Sequence, residues 1–191
     1  MKILQLCSKP PVPVVDGGCV AMNAVTEGLL ENGHEVKVLA ISTPKHPFEK
    51  EKIDSEYLLK TKIESVFIDT EIRVFAALKN LFSQGSYNVD WFYSKAFDEK
   101  IKQTLSEQKF DAVIFESLFV AHYLQTVKSK SNAVTVLRSH NVEHLIWHRL
   151  AKQEVNFFKK KYLHFLAARL KKYELSVTNN FDRLAAITEV D

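Results

Sequence analysis

Residues 137–144 concentrate polar side chains at the end of an apolar run. The segment reads Leu-Arg-Ser-His-Asn-Val-Glu-His. Histidine titrates near neutral pH, so His140 can bind a hydroxyl group or move a proton. A histidine that merely satisfies its hydrogen bonds at a helix end explains the same residue equally well. The segment therefore predicts a binding or reactive histidine and leaves a structural one open.

A zinc site is a second interpretation of the same region. His140, His144 and His148 are spaced at i, i+4 and i+8. The zinc hydrolase motif needs a glutamate directly after its first histidine, whereas Glu143 directly precedes the second one, and a further ligand is not apparent. The sequence favours surface or capping histidines, and we expect no metal ion.

A carboxylate follows another apolar run, in which Glu116 comes directly after residues 112–115. At the end of a strand it can accept hydrogen bonds from sugar hydroxyls. It can also support the N-terminus of the next helix, and spacing alone slightly favours that role. Both interpretations remain open.

A pair of glycines, Gly17 and Gly18, ends the proline-rich loop 8–18 and precedes an apolar periodic segment. Glycines at a helix N-terminus let backbone N–H groups approach a phosphate or a hydroxyl. A tight turn that needs glycine for its backbone angles is equally consistent. The loop lacks G-x-G-x-x-G, and the strand that ends at residues 39–42 offers no acidic residue for a ribose, which argues against an NAD enzyme. A P-loop is also missing.

The elements that position these residues alternate between strand and helix. Apolar runs predict strands at 2–6, 35–41, 63–68, 110–115, 133–137 and 183–187. Helices are predicted for about 15 residues after Gly18, over 71–82, 89–108 and 118–127, and twice more before the last strand, with Asn32-Gly33 as a stop signal and 43–55 as a surface loop. This alternation predicts a three-layer α/β/α domain with a mostly parallel sheet. Ligands in such folds gather at the carboxyl ends of the strands.

Composition limits the function classes. The chain has 191 residues, 46% hydrophobic and 26% charged, with a net charge of +3, which fits one globular domain and does not indicate a nucleic-acid binder. The two cysteines, Cys7 and Cys19, show neither disulfide nor metal spacing and predict a reducing cytoplasm. No apolar run reaches the roughly 20 residues that cross a bilayer.

Two segments have surface alternatives. Residues 155–177 predict a basic amphipathic helix, which can lie on an anionic membrane but more often packs its apolar stripe on the domain. The aromatic residues Tyr87, Trp91, Phe92, Tyr93 and Phe97 can line a groove for an acceptor, although helix packing is the more common use.

Taken together, the motifs resemble those of glycosyltransferase family 4, which has the GT-B architecture. The resemblance runs over nearly the whole chain, from Pro-x-Pro-x-x-x-Gly-Gly at 11–18 and Gly-His-Glu-Val at 33–36 to the segments 110–117 and 137–144. It implies a retaining hexosyltransferase of two Rossmann-like domains, of which residues 1–191 form the N-terminal, acceptor-side one. It also implies a nucleotide-sugar donor as co-substrate, no metal ion, and a saccharide or lipid-linked acceptor, as in surface polysaccharide biosynthesis.

By the same resemblance, His140 would lie beside the transferred sugar as the catalytic residue. Gly17 and Gly18 would approach the donor diphosphate or the acceptor, and Glu116, Arg138 and Asn141 are candidates for substrate contact. The glutamate motif of the family's C-terminal domain has no counterpart before Asp191, and the abrupt ending predicts that the natural polypeptide continues. The 191 residues alone are then expected to be inactive or nearly so. The alternative is a non-catalytic binding module for an anionic small molecule or a protein partner.

Overall fold

Six parallel strands form one sheet in the computed structural model, which describes residues 1–69 and 93–186. The sheet order is β3-β2-β1-β4-β5-β6. The strands are β1 (Lys2–Cys7), β2 (Glu35–Ser42), β3 (Glu64–Phe67), β4 (Ala112–Glu116), β5 (Val134–Ser139) and β6 (Arg183–Ala186). All neighbouring strands pair in parallel, so the predicted α/β class with a parallel sheet is confirmed.

The described helices are α1 (Gly17–Glu31), α2 (Ser55–Thr61), α3 (Lys95–Glu107), α4 (Leu124–Lys130), α5 (Glu143–Gln153) and α6 (Phe157–Thr178). Helix α1 has the predicted length of 15 residues. Asp16 caps its first turn by accepting a hydrogen bond from Cys19 N, and Gly33 follows its end with a φ of 75°. Because glycine adopts this left-handed conformation without a steric penalty, the predicted stop at Asn32-Gly33 is confirmed.

Two predicted segments differ in the structure. The loop predicted at 43–55 contains a 3-10 turn, Lys50–Lys52, and leads into α2, a helix that the sequence did not predict because it is short and depends on Asp54 as its cap. The helix predicted at 118–127 is a 3-10 helix over Leu118–Tyr123 followed by α4. Predicted elements at 71–82 and 89–92, the aromatic residues 87, 91 and 92, and Ile187 lie outside the described residues.

The core lies on both faces of the sheet because strand side chains alternate in direction. Leu4, Leu6, Leu39 and Ile41 belong to a cluster that includes residues of α3, α4 and α6. Cys7, Val36, Val38 and Ala40 belong to a second cluster with Met22 of α1. Helices therefore cover both faces, which gives the predicted three layers. In the two described ranges, no helix is long and apolar enough to cross a membrane.

Candidate functional site

The strand order has a switch point at β1, which pairs with β2 on one side and with β4 on the other. The chain therefore leaves β1 and β4 toward opposite sides of the sheet, which opens a crevice at the carboxyl ends of these strands. Cys7 ends β1 and lies opposite Glu116, which ends β4. The next neighbour in this register is Arg138 of β5. Two of the residues that the sequence singled out thus lie side by side at the switch point.

The buried carboxylate of Glu116 holds the guanidinium group of Arg138 and the imidazole ring of His140 together. Glu116 is fully buried, and its Oε2 lies 2.7 Å from Arg138 Nη1 and 2.6 Å from His140 Nε2. The side chains of Arg138 and His140 are 15% and 12% exposed, so both reach the crevice only in part. Glu116 thus anchors two candidate residues. The capping role belongs to the next residue, because Ser117 Oγ accepts a hydrogen bond from Phe119 N.

The second oxygen of Glu116 is bound from below the crevice by residues that the sequence did not single out. Gln5 Nε2 donates to Glu116 Oε1 at 2.9 Å, and Thr26 Oγ1 donates to Gln5 Oε1 at 2.6 Å. Gln5 and Thr26 are fully buried. The signal in the sequence was a glutamine inside the otherwise apolar strand 3–6, since buried polar side chains need partners.

The contact with Glu116 fixes the hydrogen position on His140. A carboxylate oxygen only accepts hydrogen bonds, so Nε2 of His140 carries a hydrogen and donates it. Arg138 Nη1 lies 3.1 Å from the same nitrogen, but it is itself a donor and cannot accept that hydrogen. None of the hydrogen bonds between described residues uses Nδ1, which in this tautomer is the acceptor nitrogen. His140 is therefore arranged to accept a hydrogen bond from a ligand at Nδ1.

The backbone is strained directly after Glu116. Ser117 has a φ of 90°, one of two non-glycine residues in the described ranges with positive φ. Such a conformation costs on the order of 1–3 kcal/mol and persists where surrounding contacts fix it, often at functional sites. Here Ser117 N donates to Arg138 O at 3.0 Å. The strained residue thus forms the hydrogen bond that joins the end of β4 to the end of β5.

Cys7 lies beneath this cluster and is a buried free thiol. Burial raises the pKa of Cys7 well above its usual value, and the charge of Glu116 raises it further. The thiol therefore stays protonated and is a poor nucleophile.

Gly17 and Gly18 begin α1 at the same edge of the sheet. Neither has a positive φ, so a special backbone angle does not explain them. A Cβ on Gly18 would lie 2.9 Å from Lys9 Nζ, whereas a Cβ on Gly17 would meet nothing within 4 Å. Gly18 makes room for the ion pair between Lys9 and Asp16 at 2.5 Å, and Gly17 leaves the helix end open to a ligand.

A groove of about 360 Å³ adjoins this helix end and is lined by Pro10, Asp16, Lys45 and His46, among others. Burial lowers the pKa of His46, and the charge of Lys9 lowers it further. A larger groove of about 540 Å³ lies between α1 and α2 and contains none of Glu116, Arg138 and His140. Size alone therefore does not identify the site.

The remaining residues of the segment 137–144 separate in the structure. Asn141 is exposed, and its carbonyl accepts a hydrogen bond from Ser139 Oγ at 2.9 Å. His144 Nδ1 lies 2.7 Å from Glu174 Oε2 of α6, whose carboxylate also accepts hydrogen bonds from the backbone N–H groups of Glu143 and His144. Glu174 thus caps α5 from a neighbouring helix. The sequence did not predict this contact.

The three evenly spaced histidines, His140, His144 and His148, contact different residues. His140 precedes α5 and binds Glu116, His144 binds Glu174, and the ring of His148 packs against that of His164 with centroids 5.1 Å apart. Within the part of the chain that the structure describes, no group of three histidine, cysteine or acidic side chains is placed to hold a metal ion.

Comparison of the chain with protein-family models and with curated proteins gives no match.

Proposed function

We propose that this chain is the acceptor-side domain of a retaining glycosyltransferase, which transfers a sugar from a nucleotide-sugar donor to a saccharide or lipid-linked acceptor. The observation that carries the proposal is the orientation of His140. Its Nε2 is bound to a buried carboxylate, its Nδ1 has no hydrogen-bond partner among the described residues, and its side chain is 12% exposed. Crevices at this position are where parallel α/β sheets bind ligands. The motifs at 11–18, 33–36, 110–117 and 137–144 give independent support by their resemblance to family 4.

In the proposed mechanism, His140 Nδ1 accepts a hydrogen bond from a hydroxyl of the transferred sugar and so orients its anomeric carbon. The acceptor oxygen forms a bond to that carbon on the face from which the diphosphate leaves, and the acceptor proton passes to the departing phosphate oxygen. Glu116 holds the ring in one tautomer and one orientation. Arg138 balances the charge of Glu116 through their 2.7 Å contact. A second domain would hold the donor.

The test uses the product of the complete gene with a panel of nucleotide sugars and measures donor-dependent release of nucleoside diphosphate. His140→Ala should reduce turnover by about 10²-fold or more, as the loss of one positioned hydrogen-bonding group does in other active sites. Glu116→Gln should reduce it less, because the amide still accepts a hydrogen bond. His148→Ala is the matched control, since His148 is exposed on α5, and should keep wild-type turnover.

If His140→Ala releases nucleoside diphosphate at the wild-type rate, His140 has no role in the mechanism. No turnover with any donor would overturn the enzyme proposal in favour of a non-catalytic binding module. The 191-residue chain alone should release little diphosphate. Turnover at the rate of the complete gene product would contradict the proposal that a second domain holds the donor.

A further inference from the structure

Helices α5 and α6 form an antiparallel hairpin whose connection is only residues 154–156. The contact between His144 and Glu174 joins its base, and the ring contact between His148 and His164 joins its middle. We call residues 152–161, where the chain reverses, the hairpin tip.

The hairpin tip lies away from the buried part of α6. Helix α6 has 22 residues and is about 33 Å long, whereas the six residues of β5 span about 20 Å. The end of α6 is fixed near the start of β5, because Asp182 binds Thr135 there. Buried positions in α6 begin only at Leu166. The first nine residues of α6 thus contain no buried position, and the tip lies at the end of the hairpin opposite to that anchor.

Apolar side chains are exposed together at the hairpin tip. Val155 is 96% exposed, Phe158 81% and Phe157 60%, and the two phenyl rings touch with centroids 5.6 Å apart. Single exposed apolar residues are ordinary on a protein surface, but adjacent ones at the end of a helical hairpin indicate an interaction site. The sequence predicted that the apolar stripe of this helix would pack on the domain. Leu166 and Leu170 do so, and Phe158 does not.

The charge around these rings is positive. Residues 152–161 contain Lys152, Lys159, Lys160 and Lys161 against the single acid Glu154, which pairs with Lys159 at 2.7 Å. Lys161 Nζ lies 4.7 Å from the centre of the Phe157 ring. Aromatic side chains ringed by lysines match a bilayer surface, where rings enter the headgroup boundary and ammonium groups meet lipid phosphates.

We propose that the hairpin tip docks on an anionic phospholipid bilayer, with Val155, Phe157 and Phe158 inserted and the lysines on the headgroups. A diffuse negative surface fits four lysines spread over the hairpin tip better than a shaped protein groove does. Binding itself does not depend on the proposed function. If that function holds as well, docking brings the crevice edge toward a lipid-linked acceptor.

The test is sedimentation of the 191-residue chain with phosphatidylcholine vesicles that contain or lack phosphatidylglycerol. The chain should bind the anionic vesicles, and added salt should weaken binding. The double variant Phe157→Ser/Phe158→Ser should lose at least about tenfold in affinity. Lys160→Gln/Lys161→Gln should lose roughly fivefold for each lysine. All of these side chains except Lys160 are exposed, so circular dichroism should show folded variants.

Matched controls use an exposed phenylalanine on β3, Phe67→Ser, and two lysines near α2, Lys50→Gln/Lys52→Gln, which should bind like wild type. Absence of binding to anionic vesicles, or equal binding by the phenylalanine double variant, would overturn the proposal. Self-association that disappears in that variant would also overturn it, because the tip would then be a contact between copies of the chain.

Discussion

Gln5 of β1 lies behind Glu116 of β4 and donates to its Oε1 at 2.9 Å, while Thr26 of α1 donates to the other end of the Gln5 amide at 2.6 Å. One buried amide thus connects the candidate site to the helix whose N-terminus borders the same crevice. Because all three side chains are fully buried, none can exchange its partner for water.

We expect Gln5→Leu to lower the free energy of unfolding by about 2 kcal/mol, because it leaves a carboxylate oxygen of Glu116 buried without its donor. Urea denaturation measures this change. Thr26→Val should cost about 1 kcal/mol, and the double variant should cost less than both single changes together, since it loses the shared hydrogen bond only once. Strict additivity would show that the two side chains do not act as one unit.

Gly17→Ala and Gly28→Ala form a matched pair on α1, since a Cβ at either position meets nothing within 4 Å. Both substitutions should leave stability unchanged or raise it, by up to about 1 kcal/mol, because alanine restricts the unfolded chain more than glycine. Under the proposed function, only Gly17→Ala should slow the release of nucleoside diphosphate by the complete gene product, because only that position lies at the open helix end. Equal turnover by both variants would remove Gly17 from the binding site.

Glu143 gives the fold a pH dependence. Burial, and then the charge of Glu174, raise the pKa of Glu143 from 4.5 to about 7. The folded state therefore holds a proton that the unfolded state releases, so this residue lowers stability as pH rises from about 4.5 to 7. Glu143→Gln should remove that slope and unfold with a free energy up to about 3 kcal/mol higher than wild type at pH 8. Identical slopes for the two proteins would contradict the buried protonated carboxyl.

Asp16 has the opposite dependence. The hydrogen bond from Lys9, and then the backbone N–H of Cys19, hold the pKa of Asp16 below its usual 3.8. Its stabilisation is thus present above pH 3.8 and is lost as pH falls further. We expect Asp16→Ala to cost about 1 kcal/mol at neutral pH and less in acid. Asp16→Asn keeps a capping oxygen but loses the charged contact with Lys9, so it should cost less than Asp16→Ala and show no acid dependence from this position. Equal losses in both variants would assign the stabilisation to the ion pair with Lys9 instead of the cap.

The sheet could be predicted because its strands are apolar runs separated by recognisable stops, as Asn32-Gly33 shows between α1 and β2. The sequence did not predict helix α2 or the positive φ at Ser117. A seven-residue helix carries little periodicity, and a positive φ at a serine has no sequence signature.

The site could be predicted residue by residue but not as a network. Glu116, Arg138 and His140 are predictable because each ends or follows an apolar run. The parallel register then places Glu116 beside Arg138. The contacts of Gln5, Thr26 and Glu174 could not be predicted, because they form between elements that are far apart in the sequence. Gln5 and Glu116, for example, are separated by 111 residues. Composition and spacing do not contain that information.

The central place of β1 also has a consequence for synthesis. Lys2 N donates to Asp111 Oδ2 at 2.7 Å, across 109 residues of chain. At usual rates of translation, β1 waits on the order of 5 to 20 s for β4 to leave the ribosome, with β2 as its one available partner. During that interval the nascent protein presents an unpaired strand edge, and a chaperone that shields extended apolar segments would have its natural substrate there.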